Sequence, residues 1–307
     1  MGTRTIPTEA LGMQAVRLMD RERAELLAVL KGRDGPDWNL KTGFRGMTVT
    51  ELVQHMVEDS ERLADAWERH YSHLDEPLFW ALEHPEEEHA LEEDPAEPDE
   101  LVERYSTAME RVRTSLAQAR LDDWEWPSVC PLGGLETLSE AARRWLAHHY
   151  VHREDIHEIL GLPPDNDEET VSLVVEFTLH ALVMVGGDSM PYPMAMKVIT
   201  APPGSGAWTL VFADPDERED RFATTWEKFL GWESEPPPER RVERGTGPGT
   251  RVSVRGYGEA VWRAGFGRGH SWDELQVHGD DEAVQAWERL TEMLDGSIEK
   301  RLPSGKG

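Results

Sequence analysis

The sequence predicts an N-terminal four-helix bundle, residues 1–164, followed by a smaller α+β domain, residues 165–307. Three observations lead there. Four stretches of the first half repeat apolar residues at helical spacing, and the fourth stops at Gly161 with Pro163 and Pro164 beyond it. Two of these stretches open on a capping box, Thr48-Val-Thr-Glu51 and Thr137-Leu-Ser-Glu140. The second half then changes to short strand-like runs separated by turn residues.

Thr8 to Leu30 reads as the first helix, with Leu11, Ala15, Leu18, Leu26 and Leu30 near one stripe. Gly32 to Gly46 is a charged, Gly-rich loop that holds Trp38. The second helix starts at Thr48 and passes through Leu52, His55, Met56, Leu63 and Ala66 to about His70. Asp75 to Glu100 is acidic and contains Pro, which suits a solvated loop or an insertion. The third helix covers about Asp99 to Ala119, and the loop from Trp124 to Gly134 contains Cys130. The fourth helix runs from its Thr137 cap to Leu160, with Leu138, Ala141, Trp145, His152, Ile156 and Ile159 on its inward stripe.

Four such helices joined by loops form a bundle. Pro163 to Glu169 reads as the hinge between domains. Beyond it, Val171 to Val185 predicts a buried helix. Ala195 to Thr200, Trp208 to Ala213 and Arg251 to Arg255 predict strands, with a hairpin turn at Pro203-Gly204. Leu275 to Val277 adds a short strand, and Asp280 to Leu294 is the last helix. Gly245-Thr-Gly-Pro-Gly249 lacks the Lys-Ser/Thr pair and following helix of a phosphate cradle, so it reads as a turn.

Composition narrows the function. The 60 acidic and 32 basic residues of the 307 give a formal charge of −28. A surface this acidic repels phosphate backbones and anionic headgroups, which disfavours nucleic acid and membrane partners. Cys130 is the single cysteine, so no intrachain disulfide forms. With no signal peptide and no apolar run of spanning length, the expected location is the cytoplasm.

The chemistry concentrates on the fourth helix. His148 and His152 stand four residues apart, so both project from one side, and His152 interrupts the apolar stripe. Two imidazoles at this spacing can meet one divalent ion. His149 with His152 offers a less favourable pair. His55, between Leu52 and Met56 on the inward face of the second helix, is the candidate third ligand. Burying three unpartnered imidazoles would cost several kcal/mol. Asp155 and Glu154 follow His152, and Asp59 lies one turn beyond His55. Each is placed to orient a ligand imidazole through its other nitrogen. For Glu154 a solvated helix face is the simpler expectation. Cys130, in a Pro-flanked loop with no adjacent His, reads as an inert thiol. Trp38, Trp126 and Trp145 are candidates to line a pocket, with core packing the expected role of Trp145.

The stretch TVTELVQHMVEDSERLADAW resembles the second helix of the DinB-like superfamily. RRWLAHHYVHREDIHEILGLP resembles the fourth helix of its mycothiol-dependent maleylpyruvate isomerase branch. VRGYGEAVWRAGFGRG with LQVHGDDEAV is similar to that branch's sterol-carrier-like C-terminal domain. The resemblance implies a zinc ion held by His55, His148 and His152, and a low-molecular-weight thiol such as mycothiol as cosubstrate. In the branch a Glu stands where His148 stands here. A neutral ligand in its place leaves the site one unit more positive and the ion more Lewis acidic. The resemblance also implies that Arg268 clamps a carboxylate of the substrate or thiol. From the residues themselves, Trp38 is a candidate to contact the cofactor and Asp155 to support catalysis.

Three protein ligands on zinc leave a position open, as catalytic sites require. A thiol held there as thiolate would attack a small electrophile, making the protein an S-transferase or a cis-trans isomerase. The alternatives are a hydrolase using metal-bound hydroxide and a non-enzymatic metal or ligand binder.

Overall fold

The computed structural model describes residues 8–72, 96–120, 123–124, 127–129, 135–186, 193–212, 240–245, 249–269 and 272–294. The described helices of the first half are α1 (Thr8–Leu30), α2 (Gly35–Trp38), α3 (Val49–Ser72), α4 (Pro98–Leu116), α5 (Leu138–Ile159) and α6 (Glu168–Gly186). Helices α1, α3, α4 and α5 are the predicted bundle. α3 packs along α4 and α1 along α5, while α1–α4 and α3–α5 contacts close the ring. Leu18, Leu26, Leu52, Met56, Leu101, Tyr105, Val112, Leu138, Leu146 and Ile156 fill its core.

Both capping boxes form. Thr48 N donates to Glu51 Oε2 at 2.7 Å and Glu51 N to Thr48 Oγ1 at 3.2 Å. At the start of α5, Thr137 N donates to Glu140 Oε2 at 2.6 Å and Glu140 N to Thr137 Oγ1 at 3.2 Å. Each box satisfies two amides that a helix start leaves without intrahelical acceptors. At the start of α6, Asp167 Oδ2 accepts from one such amide, Thr170 N, at 2.9 Å.

Two features depart from the sequence reading. The loop around Trp38 contains the short α2, and Trp38 is a core residue at 4% exposure. A small hairpin, β1 (Pro127–Val129) with β2 (Leu135–Thr137), precedes α5. Contacts group the chain into two compact units that divide within α6, between Phe177 and Thr178. The physical reason is that the first half of α6 packs with the bundle. Leu173 joins the bundle core, and Glu176 pairs with Arg143 of α5. The acidic stretch 75–95 and Cys130 lie outside the described residues.

Gly12 of α1 gives Trp124 its seat. A Cβ at Gly12 would stand 2.2 Å from the indole Cε3, so the ring rests against bare helix backbone. Trp124 is 3% exposed there.

α5 is buried on nearly every side, charged residues included. Arg153, fully enclosed, donates through Nε to Glu22 Oε2 of α1 at 2.7 Å and through Nη2 to Asp165 Oδ2 at 2.7 Å. Glu25 and Glu154 lie 3.3 and 3.4 Å from Nη1. Glu22, Glu25 and Asp165 are close enough to hold an ion, but the Arg153 guanidinium is already the cation among them. Burial pushes the Glu22 carboxyl up to about 7, against the opposing pull of Arg153 and with help from Asp165 and Glu25.

The second unit is α+β, as the sequence predicts. Its sheet order is β5 (Arg240–Arg244), β4 (Gly206–Phe212), β3 (Met194–Ala201), β6 (Val252–Tyr257) and β7 (Gln276–Gly279). Only the β3–β6 pair is parallel among these. Alternate residues Met194, Met196 and Val198 of β3 are buried, with Trp208, Leu210 and Phe212 of β4 beside them. Helices α7 (Gly258–Gly265) and α8 (Asp281–Leu294) supply Val261, Trp262, Ala286, Trp287 and Leu290 to this core. The edge strand β5 and helix α7 are additions to the sequence reading. Among the described residues, no helix is long and apolar enough to cross a membrane.

Thr137→Ala removes one side of the α5 cap and is expected to lower stability by about 1 kcal/mol, read as a lower denaturation midpoint at unchanged slope. Glu22 binds its proton more tightly folded than unfolded. Wild-type stability should therefore fall as pH rises from its unfolded value near 4.5 through about 7. The slope reaches at most about 1.4 kcal/mol per pH unit. Glu22→Gln should flatten that slope in denaturant titrations run across the window.

Candidate metal centre

His55 enters from α3, and His148 and His152 from α5, one turn apart. Their ligand atoms gather in one cluster, all within 4.8 Å of one another. His148 Nε2 lies 3.3 Å from His55 Nε2 and 3.0 Å from His152 Nε2. Donors bound about 2.0–2.1 Å from a tetrahedral zinc are separated by about 3.3–3.4 Å, so the spacing fits one ion. The pocket is nearly dry: the side chains of His55, His148 and His152 are 13, 12 and 3% exposed. Burial, reinforced by His152 and His55, holds the His148 pKa well below the ordinary histidine value. The neutral ring keeps a lone pair for a metal.

The surroundings fix the rings. Asp155 Oδ2 lies 3.2 Å from His152 Nδ1, on the side of the ring away from the cluster. Phe44 packs 4.5 Å from the His152 ring and 5.7 Å from the His55 ring, centroid to centroid. It is held by a tight turn. Met47 N donates to Phe44 O at 2.9 Å, while Arg45 and Gly46 take φ of 50° and 69°. Trp145 meets His148 edge-on at 5.5 Å.

Several assignments change. Asp59 faces the inner nitrogens rather than an outer Nδ1. Its Oδ2 is 3.4 Å from His55 Nε2 and 3.5 Å from His148 Nε2. Glu154 is not on a solvated face. It is 3% exposed and accepts from Asp165 N at 3.2 Å, because the chain after α5 folds back over it. His149 points away from the cluster, to Tyr105 Oη at 3.1 Å and Ser60 Oγ at 3.5 Å, and burial lowers its pKa to about 3. The spacing of His149 and His152 along one helix could not reveal this, since the partners come from α3 and α4. Phe44 was missed for a similar reason: a loop aromatic shows no periodicity.

Arg268 belongs to the second unit. Its Nη1 donates to Phe266 O at 2.8 Å, between Gly267 and Gly269 at φ of 67° and 75°. Trp38 is buried in the bundle core, its carbonyl accepting from Thr50 Oγ1 at 2.9 Å. Trp126 lies outside the described residues.

Residues 19–157 match the family described as the mycothiol maleylpyruvate isomerase N-terminal domain. Two solved structures share the fold, a mycothiol-dependent maleylpyruvate isomerase and a histidine-to-alanine mutant of that enzyme. Each is 12% identical to this chain, with a TM-score of 0.51 over 89% of this chain and 93% of the other. No curated protein sequence matches. Residues 19–157 of the chain are therefore similar to the mycothiol maleylpyruvate isomerase N-terminal domain family.

Proposed function

We propose that this protein is a metal-dependent enzyme that activates a low-molecular-weight thiol of the mycothiol type for attack on a small electrophile. A maleylpyruvate-like compound is the first substrate to test, with a cis-trans isomer or a thiol conjugate as product. The observation that carries the reading is the convergence of three imidazole Nε2 atoms from two helices in a nearly dry pocket. One N–H on His148 Nε2 can serve only one neighbour, whereas a cation satisfies all three rings. A divalent ion held there, zinc by its preference for such donors, supplies the positive charge that keeps a thiol as thiolate.

The chain's own groups divide the remaining work. His55, His148 and His152 would hold the ion through Nε2. Asp155 fixes the tautomer of His152 by accepting from Nδ1–H. Phe44, stacked on His55 and tilted against His152, and Trp145, edge-on to His148, pack around the rings and would limit the water that competes with the thiol. The match of residues 19–157 to the mycothiol maleylpyruvate isomerase N-terminal domain supports the thiol and isomerase half of the reading. A thiol cosubstrate also fits a reducing compartment such as the cytoplasm.

Elemental analysis of purified protein should find about one equivalent of divalent metal in the wild type, and under roughly a tenth of that in His55→Ala and His152→Ala. Full metal content in either variant would remove that residue from the site. Turnover of maleylpyruvate should require both added thiol and metal, and thiol-independent turnover would end the thiol reading. Asp155→Asn keeps an acceptor for Nδ1–H but loses the charge. It should weaken zinc binding by about tenfold in a competitive chelator titration.

A further inference from the structure

The loop that leads into α3 brings a cation close to the histidine cluster. Thr42, Phe44 and Met47 of this loop are buried, while Lys41, Gly43, Arg45 and Gly46 are exposed. Thr42 N and Thr42 Oγ1 both donate to Met47 O, at 2.8 and 3.0 Å, and Val49 N donates to Leu40 O at 2.9 Å. Lys41 and Thr48 pair as an isolated bridge. These bonds close the base of the loop and leave Phe44, Arg45 and Gly46 at its tip. Phe44 packs inward on the His55 and His152 rings. Arg45 lies over Phe44, its Cζ 5.0 Å from the ring centroid. A single aromatic ring thus stands between a guanidinium and two of the clustered imidazoles.

We propose that Arg45 determines substrate specificity by binding a carboxylate of the electrophile at the rim of the histidine site. This rests on the thiol reading given above and narrows its substrate to a short-chain carboxylate. Three arguments carry it. The first is conformation. Arg45 takes a φ of 50°, in the left-handed region, where the neighbouring Gly46 sits at 69° without a Cβ to strain. A side chain held there at a conformational cost marks a position where the side chain is used. The second is placement. Contact with an aromatic face steadies a guanidinium, whose planar fork of N–H donors matches a carboxylate with two parallel bonds. Thr48, at the end of the same loop, caps the helix that carries His55, so the loop base and a ring of the site share one anchor. Arg45 also belongs to the same compact unit as the three histidines, whereas Arg268 does not. The third is charge. A chain of formal charge −28 repels an anion at long range, so capture of one needs a local cation beside the site.

Glutarate, a five-carbon dicarboxylate, is the binding probe, with dimethyl glutarate as its uncharged match. Zinc-loaded wild type, Arg45→Gln and Arg45→Lys are titrated with each by calorimetry, and zinc affinity is measured by chelator competition. Arg45→Gln should weaken glutarate binding by about five- to tenfold, and Arg45→Lys by less. Binding of the ester and of zinc should stay as in wild type. In thiol-dependent turnover of maleylpyruvate, Arg45→Gln should raise KM by a similar factor with kcat little changed. Absence of glutarate binding in wild type, or wild-type affinity for it in Arg45→Gln, would overturn the assignment. So would a parallel loss of zinc affinity, because Arg45 would then act through Phe44 and the rings. If turnover requires thiol and metal but ignores Arg45→Gln, only the carboxylate anchor fails. If glutarate binding depends on Arg45 while turnover needs no thiol, the thiol reading fails and the anchor stands.

Discussion

The bundle is organised by the burial of α5, a helix that carries polar groups on almost every face. His149, His152, Arg153, Glu154 and Asp155 are all under 5% exposed. Leaving one such group without a partner costs about 1–3 kcal/mol, and more for a charge. Several of them, with the neighbouring His148, therefore draw other elements toward α5. Arg153 ties α1 through Glu22 and the following turn through Asp165. His149 reaches Tyr105 of α4 and Ser60 of α3. His148 reaches His55 of α3.

The same arrangement fixes the geometry of the histidine cluster. The α5 rings sit on a helix whose rotation is fixed by Arg153, one residue beyond His152. A turn of α5 that moved His148 would also pull Arg153 from Glu22 and His149 from Tyr105. Functional groups on rigid elements with independent anchors hold their geometry better than groups on loops. The one loop contribution, Phe44, is itself fixed by a turn with two residues at positive φ.

The sequence made some of this legible and hid the rest for definable reasons. Thr48/Glu51 and Thr137/Glu140 announced two helix starts, because a capping box is a local interaction within four residues. His148 and His152 were readable as a pair because helical spacing alone puts them together. The pairing of Arg153 with Glu22 joins positions far apart in the chain, which periodicity cannot see. Glu154 looked like a solvent-facing charge because a helical stripe assigns charges outward by default, and only the returning chain at Asp165 covers it. Strand β5, Arg-Arg-Val-Glu-Arg, has no apolar alternation and sits at a sheet edge, where burial demands the least of a sequence.

The contact between Gly12 and Trp124 bears on how α5 reaches its place. The stretch from the end of α4 to the Thr137 cap is the connection that delivers α5 and its two ring donors. Seating Trp124 in the notch on α1 fastens that connection at an interior point, so it behaves as two short spans instead of one long one. The chain entropy of closing each span is then spent separately, against nearby contacts. A methyl group at position 12 would collide with the Trp124 ring and loosen the connection that leads into α5.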